Sequence, residues 1–185
     1  MTAMRAETRR VRYADLEKWP EDGRRYELYD GEVFVVPSPL PAHQIAAARL
    51  HLLLHEYFQD RGGVVLFAPL DIVLSEHDVV QPDLLVFAAE RAHVIDPTKV
   101  TREPPDLAVE ILSPGTARND RGRKMQLLAR HGVKEYWLVN PEAVRIEVYR
   151  LVEHRFELSD AANASEVAHS RSFRGLEVSP TALIS

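Results

Sequence analysis

Two carboxylates set in apolar runs, and one lysine on the helix that follows, are the residues with which this chain could do chemistry. Asp83 stands in Gln81-Pro82-Asp83-Leu84-Leu85-Val86-Phe87, and Glu110 in Leu107-Ala108-Val109-Glu110-Ile111-Leu112-Ser113-Pro114. The second run is short, almost continuously apolar and bounded by Pro105 and Pro114, the pattern of a central strand buried on both faces. An ionised glutamate without a partner in such a place costs several kcal/mol or takes up a proton, so a cation or a tight partner is expected beside it.

Lys124 raises the same question. Between Arg118 and Gly132 the residues Asp120, Lys124, Leu127, Leu128 and His131 fall at helical spacing on one core-facing stripe. The lysine therefore points inward. It can snorkel and pair with Asp120 one turn back, or it can converge with the two strand acids on a hard cation and a water molecule.

The elements that must hold these groups can be read in order. Residues 1–11 read as a flexible basic lead-in, and Tyr13 to Trp19 as a short helix stopped by Pro20. Arg25–Tyr29 and Glu32–Val36 flank Asp30-Gly31, a dipeptide that supplies the positive φ angles of a two-residue hairpin turn. Glu27 then lies opposite Phe34; the hairpin by itself makes it an exposed strand acid. A long helix from Ala42 to about Asp60 is predicted to bury Ala46, Leu50, Leu53 and Tyr57, with His43 extending the stripe at its N-terminal end. There His43 is either a packing residue or one placed to meet a phosphate or metal-bound water at the positive end of the helix dipole.

Val64 to Leu74 reads as strand broken at Pro69, and Asp71 as structural or rim-facing. Ala88 to Pro105 is a charged, proline-rich connection. Val133–Val139, Val144–Leu151 and Arg155–Leu158 form a meander, and Phe173 to Ile184 a strand and turn after a polar tail from Ser159. A strand, the Lys124 helix and a second strand in succession make a βαβ crossover. The whole is an α/β fold, a mixed β-sheet flanked by helices.

Composition narrows the chemistry. With 185 residues, 45% of them hydrophobic, the chain is expected to be a single domain over 1–185. Its apolar runs fall short of the ~20 residues that span a bilayer, and the N-terminus lacks a secretory apolar region, so a cytoplasmic protein without a membrane partner is expected. The absence of cysteine leaves Asp, Glu and His as ligands and favours Mg2+ or Mn2+. A net charge of −5 argues against a protein that coats nucleic acid, although Arg118, Arg121, Arg123, Lys124 and Arg130 gather on one helix and Arg5, Arg9, Arg10 and Arg12 at the N-terminus.

From Tyr13 to Leu151, and weakly at Phe173-Arg174-Gly175-Leu176, the chain resembles the Uma-two family of restriction-type endonucleases within the PD-(D/E)XK nuclease superfamily. The matching stretches are Tyr26-Glu27-Leu28-Tyr29-Asp30-Gly31-Glu32, His43, Pro82-Asp83, Val109-Glu110-Ile111-Leu112-Ser113-Pro114, Lys124 and Gly132-Val133-Lys134-Glu135-Tyr136-Trp137. The superfamily's lysine usually stands two positions after the glutamate, where this chain has Leu112. Lys124 resembles a lysine migrated to the next helix.

The resemblance implies a restriction-endonuclease-like core and a metal-dependent endonuclease acting on DNA, working as a homodimer. Asp83, Glu110 and the Ile111 carbonyl would bind the metal and Lys124 would be catalytic. Glu27 could bind a second ion, and His43 could contact the scissile phosphate. Two other readings compete: a catalytically inactive nuclease-fold module that binds nucleic acid or a partner, and a structural domain whose Glu110 forms a buried pair with Lys124.

Overall fold

A computed structural model describes residues 10–184. Its main sheet has six strands in the order β10-β9-β8-β7-β6-β3, and a second sheet has four in the order β2-β1-β5-β4. In the main sheet, β3 (Val64–Phe67), β6 (Leu84–Phe87), β7 (Leu107–Ile111), β8 (Glu135–Asn140), β9 (Arg145–Val152) and β10 (Arg155–Ala162) all pair antiparallel except β7 with β8, which are parallel. That parallel pair is the crossover expected from the sequence, and a mixed sheet covered by helices is the fold class expected.

Strand alternation divides the core in two. Leu84, Val86, Leu107, Val109, Ile111 and Trp137 face the long helix α2 (Pro41–Gln59). Leu85, Phe87, Ala108, Tyr136 and Leu138 face the opposite way, toward Leu127 and Leu128 of the crossover helix. Glu110 shares the parity of Ala108, so its carboxylate points to the crossover helix and not to α2.

Helix α2 buries His43, Ala46, Leu50, Leu54 and Phe58, not the expected Leu53, which is 36% exposed. Leu52, Leu53 and Leu54 are consecutive, so apolarity alone does not set the helix phase there. Tertiary contacts set it: Phe58 meets Phe173 edge to face, and Tyr57 turns outward to donate its hydroxyl to the Arg174 carbonyl at 2.9 Å.

The small sheet carries the hairpin of β1 (Arg25–Tyr29) and β2 (Glu32–Val36), with Glu27 opposite Phe34 as expected. Asp30 and Gly31 have φ of 51° and 80°. Of the expected flexible lead-in, residues 1–9, including Arg5 and Arg9, lie outside the described residues. Residues 10 and 11 are packed, because the Val11 N–H donates to the Gly31 carbonyl at 2.9 Å. The proline break at Pro69 passes the chain from β3 in one sheet to β4 (Ile72–Ser75) in the other, and β4 turns into β5 (Asp78–Val80).

Two further features place the hairpin. The crossover comprises α3 (Ala117–Asn119), a π-helical turn (Asp120–Lys124) and α4 (Met125–Arg130). At its far end, Arg130 and His131 reach Asp78 at 3.1 and 3.0 Å while the Asp30 N–H donates to the same carboxylate at 2.9 Å. Burial works against this carboxylate, but hydrogen bonds from His131, the Asp30 N–H and Ser75 hold its pKa below the ordinary value. This knot fastens β1 to the crossover helix and so sets Glu27 against Lys124. The tail expected to be polar coil from Ser159 instead extends β10 to Ala162, and Ala168–His169 pairs with Glu177–Val178 as β11 and β12. Glu135 anchors that segment, accepting from Trp137 Nε1 at 2.6 Å and from the Arg171 and Ser172 N–H groups at 3.0 and 2.8 Å.

Candidate active site

The antiparallel register pairs Leu84 with Val109, so one further step along each strand sets Asp83 beside Glu110. Pro82 ends the preceding connection and releases Asp83 at the mouth of the sheet. Its Oδ2 accepts the Ile111 N–H at 2.8 Å and lies 3.1 Å from His43 Nε2. Both contacts fall on one oxygen, and among the described residues no hydrogen bond reaches the other. His43 stands in the first turn of α2, and its Nδ1 is buried without a hydrogen bond.

Lys124 enters from the π-helical turn and is 3% exposed. Its ammonium lies 2.6 Å from Glu110 Oε1 and 2.8 Å from Glu27 Oε1, with the Gln81 carbonyl at 3.4 Å. The inward phase read from the sequence holds. The pairing with Asp120 does not, because the extra residue of a π turn shifts the i, i+4 relation and two strand acids lie closer. The buried Glu110–Lys124 pair of the structural reading is present, and Glu27 extends it to a triad.

Glu27 is buried, not exposed, because the small sheet folds this face of the hairpin over the crossover helix. Both its oxygens are engaged. Oε1 accepts the Gln81 N–H at 2.6 Å besides meeting Lys124; Oε2 accepts the Tyr29 hydroxyl, which itself accepts from Asn119 Nδ2 at 2.7 Å. Burial drives the Tyr29 pKa far up, so its hydroxyl stays a donor.

Asp120 is the residue whose place here the sequence did not reveal. It is 2% exposed, its Oδ2 takes no hydrogen bond, and it lines the same notch as Glu27, Asp83, Glu110 and Lys124. Burial raises its pKa to about 6, with Glu27 and Asp83 adding to the rise and Lys124 opposing it. Burial likewise pushes Glu110 well up, against Lys124 and with Asp120 and Asp83. For Lys124 burial acts downward, but the surrounding carboxylates outweigh it and hold the ammonium charged.

Four carboxylates thus face one ammonium. Because the folded protein binds the Asp120 proton more tightly than the unfolded chain does, the stability this group contributes without added cation is present in acid and lost as pH rises from about 4 to about 6. Asp120→Asn is expected to remove that fall and to gain on the order of 2 kcal/mol at pH 8 in chelator. Thermal melts across pH test this; parallel profiles for the two proteins would refute it.

Among the described residues no group of three or more His, Cys, Asp and Glu side chains is arranged to hold a metal ion. The donors nevertheless suit a hard divalent cation that keeps much of its water. All are oxygen, Asp120 Oδ2 is buried without a hydrogen bond, Glu110 Oε1 meets the Lys124 ammonium, and the notch of about 20 Å³ admits one ion-sized or water-sized species.

Mixed sheet, flanking helices and an acidic notch at the strand ends define a nuclease-like α/β fold. Residues 13–182 match Uma2, described as "Putative restriction endonuclease", and the chain belongs to that family. The Synechocystis sp. protein slr1290, described as uncharacterized, is 28% identical over 137 residues, covering 71% of this chain and 70% of the relative. The crystal structure of "a putative nuclease belonging to DUF820" from Anabaena variabilis is 21% identical with a TM-score of 0.78, covering 94% of this chain and 97% of that one. At that identity the likeness shows the fold. No helix among the described residues is long and apolar enough to cross a membrane.

Proposed function

We propose that this protein is a metal-dependent endonuclease that hydrolyses DNA phosphodiester bonds with Mg2+ or Mn2+. The observation that carries the reading is the charge balance inside the notch, where Glu27, Glu110 and Asp120 surround the buried Lys124 ammonium, with Asp83 beside His43 and Arg25 on the wall. Several buried carboxylates cannot all ionise beside a single ammonium, so the site has use for further positive charge.

Asp83, Glu110 and the Ile111 main-chain carbonyl would hold the cation. When bound it supplies charge to the phosphodiester as the bond to phosphorus breaks and acidifies a water molecule. Lys124 orients the attacking water and stabilises the charge that develops on the phosphoryl oxygens. Glu27, with both oxygens already engaged, aims Lys124, a role its contacts support better than that of ligand to a second ion. His43 steadies Asp83 through Nε2.

A second reading, a nuclease-fold module without turnover, is favoured in its partner-binding form by one observation. Arg121, Arg123 and Arg130 of the basic helix are each paired with carboxylates, Glu147, Glu32 and Asp30 with Asp78, so that helix presents little free positive charge to a duplex.

Incubation with supercoiled plasmid and Mg2+ or Mn2+ separates the two. Cleavage by the wild type, lost in Asp83→Ala and Lys124→Ala, is expected. No product, or equal product from those variants, would eliminate the hydrolytic reading. Cutting both strands needs two sites, so we take a homodimer to be the working unit. Linear product should then accompany nicked circles, and nicks alone would count against the dimer.

A further inference from the structure

We propose that the groove running from Asp83 along α2 to Phe67 is a subsite for one unpaired nucleotide beside the scissile phosphate, with Arg25 on its phosphate and Phe67 and His51 against its base. This rests on the nuclease reading and adds to it a class of substrate: a strand whose bases are free to leave the stack.

Geometry leads to it. The groove encloses about 590 Å³ and is lined by Arg25, His43, His51, Leu52, Phe67 and Asp83 among others. That is the size of a small-ligand site, and far too narrow for a duplex. Its continuity with the notch is set by Arg25, His43 and Asp83, which line both. Arg25 precedes Glu27 by two residues on β1, so alternation turns both toward the notch. Its one hydrogen bond goes to the Pro37 carbonyl at 3.3 Å, and it forms no ion pair among the described residues. A guanidinium has five N–H donors. Those that remain open where groove and notch meet suit a phosphodiester oxygen, and Arg25 is the one Lys or Arg along the groove.

The other end suits a base. Phe67 is 59% exposed at the end of β3, which is an edge strand. Its ring stands edge-on to His51 at 5.0 Å, and His51 stacks on His55 at 6.0 Å. Burial, then the neighbouring His55, lowers the His51 pKa, which keeps this ring neutral and apolar at neutral pH. An aromatic surface beside a phosphate grip serves an unstacked base better than the hydrated backbone of a paired one.

The test is fluorescence anisotropy with a labelled dT oligonucleotide and a hairpin duplex of equal length, in chelator so that nothing is cut. Wild type should bind the unpaired strand more tightly. Phe67→Ala, an exposed position whose loss the fold tolerates, should weaken binding by about 5- to 100-fold. Arg25→Ala should weaken it about tenfold and lower the salt slope by about one, and Arg25→Lys should restore the slope but not the full affinity. Circular dichroism melts check that all variants fold. Equal or tighter binding of the hairpin, or an unchanged Phe67→Ala, overturns the subsite. If the binding results come out as expected and neither plasmid nor the unpaired oligonucleotide is cut with Mg2+, hydrolysis fails and the subsite stands. If plasmid is cut and the variants bind like wild type, the subsite fails and hydrolysis stands.

Discussion

Lys124→Ala is expected to slow cleavage by two to three orders of magnitude, on the order of an oxyanion-donor loss, lower stability in chelator, and regain much of that stability when Mg2+ is added. The ammonium holds Glu110 and Glu27 at 2.6 and 2.8 Å, and all three residues are buried. Removing it leaves two buried carboxylates uncompensated, which costs about 3–5 kcal/mol when one partner of a buried ion pair is deleted. The loss should be smaller in acid, where the raised pKa of Glu110 lets a proton replace the missing charge. A divalent cation offers the same compensation at neutral pH, and without the lysine it meets less repulsion, so its affinity should not fall.

Cleavage should nevertheless fall by roughly 10²–10³, the usual cost of losing a charge aimed at the transition state. Melting temperature with and without MgCl2, beside single-turnover cleavage, measures both halves. A variant as stable as wild type in chelator would sink the idea that Lys124 neutralises this cluster. A variant that cleaves normally would remove it from the chemistry.

The parts of this arrangement visible in the sequence are those governed by local pattern. The apolar run around Glu110, the Asp30-Gly31 turn and the spacing of Asp120, Lys124, Leu127 and Leu128 each speak through a short period, and each is where the pattern puts it. What the pattern does not hold is long-range. Glu27 looks like a surface acid because its cover comes from the crossover helix roughly a hundred residues later. Asp120 looks like a partner for Lys124 because an ideal helix would place it so, and the π turn is no feature of propensity. The phase of α2 depends on Phe173, which belongs to a segment the pattern leaves without a docking partner. Arg25 gains meaning when Pro37, His43 and Asp83 close around it.

Asp83→Asn should separate chemistry from stability in the opposite way. Asparagine keeps the shape, and its amide oxygen can stand where Oδ2 does, accepting the Ile111 N–H, now made at 2.8 Å, beside His43 Nε2. The lost negative charge is one that pushes both Glu110 and Asp120 upward in pKa, so its removal relieves repulsion in the unliganded notch. Stability in chelator should therefore hold within about 1 kcal/mol of wild type or rise, as for a change that leaves no buried group unpaired. Cation affinity should fall, since one of two carboxylate ligands is replaced by a neutral amide, and cleavage should drop by roughly 10³ as the charge it holds at phosphorus is displaced. Calorimetric titration with MnCl2 and single-turnover cleavage read these two effects. Cleavage within tenfold of wild type would show that Asp83 is no ligand. A large loss of stability with unchanged cation binding would make it a brace between β6, β7 and α2. Because Lys124→Ala lowers stability in chelator and Asp83→Asn does not, while both slow cleavage, a defect in folding cannot account for the pair.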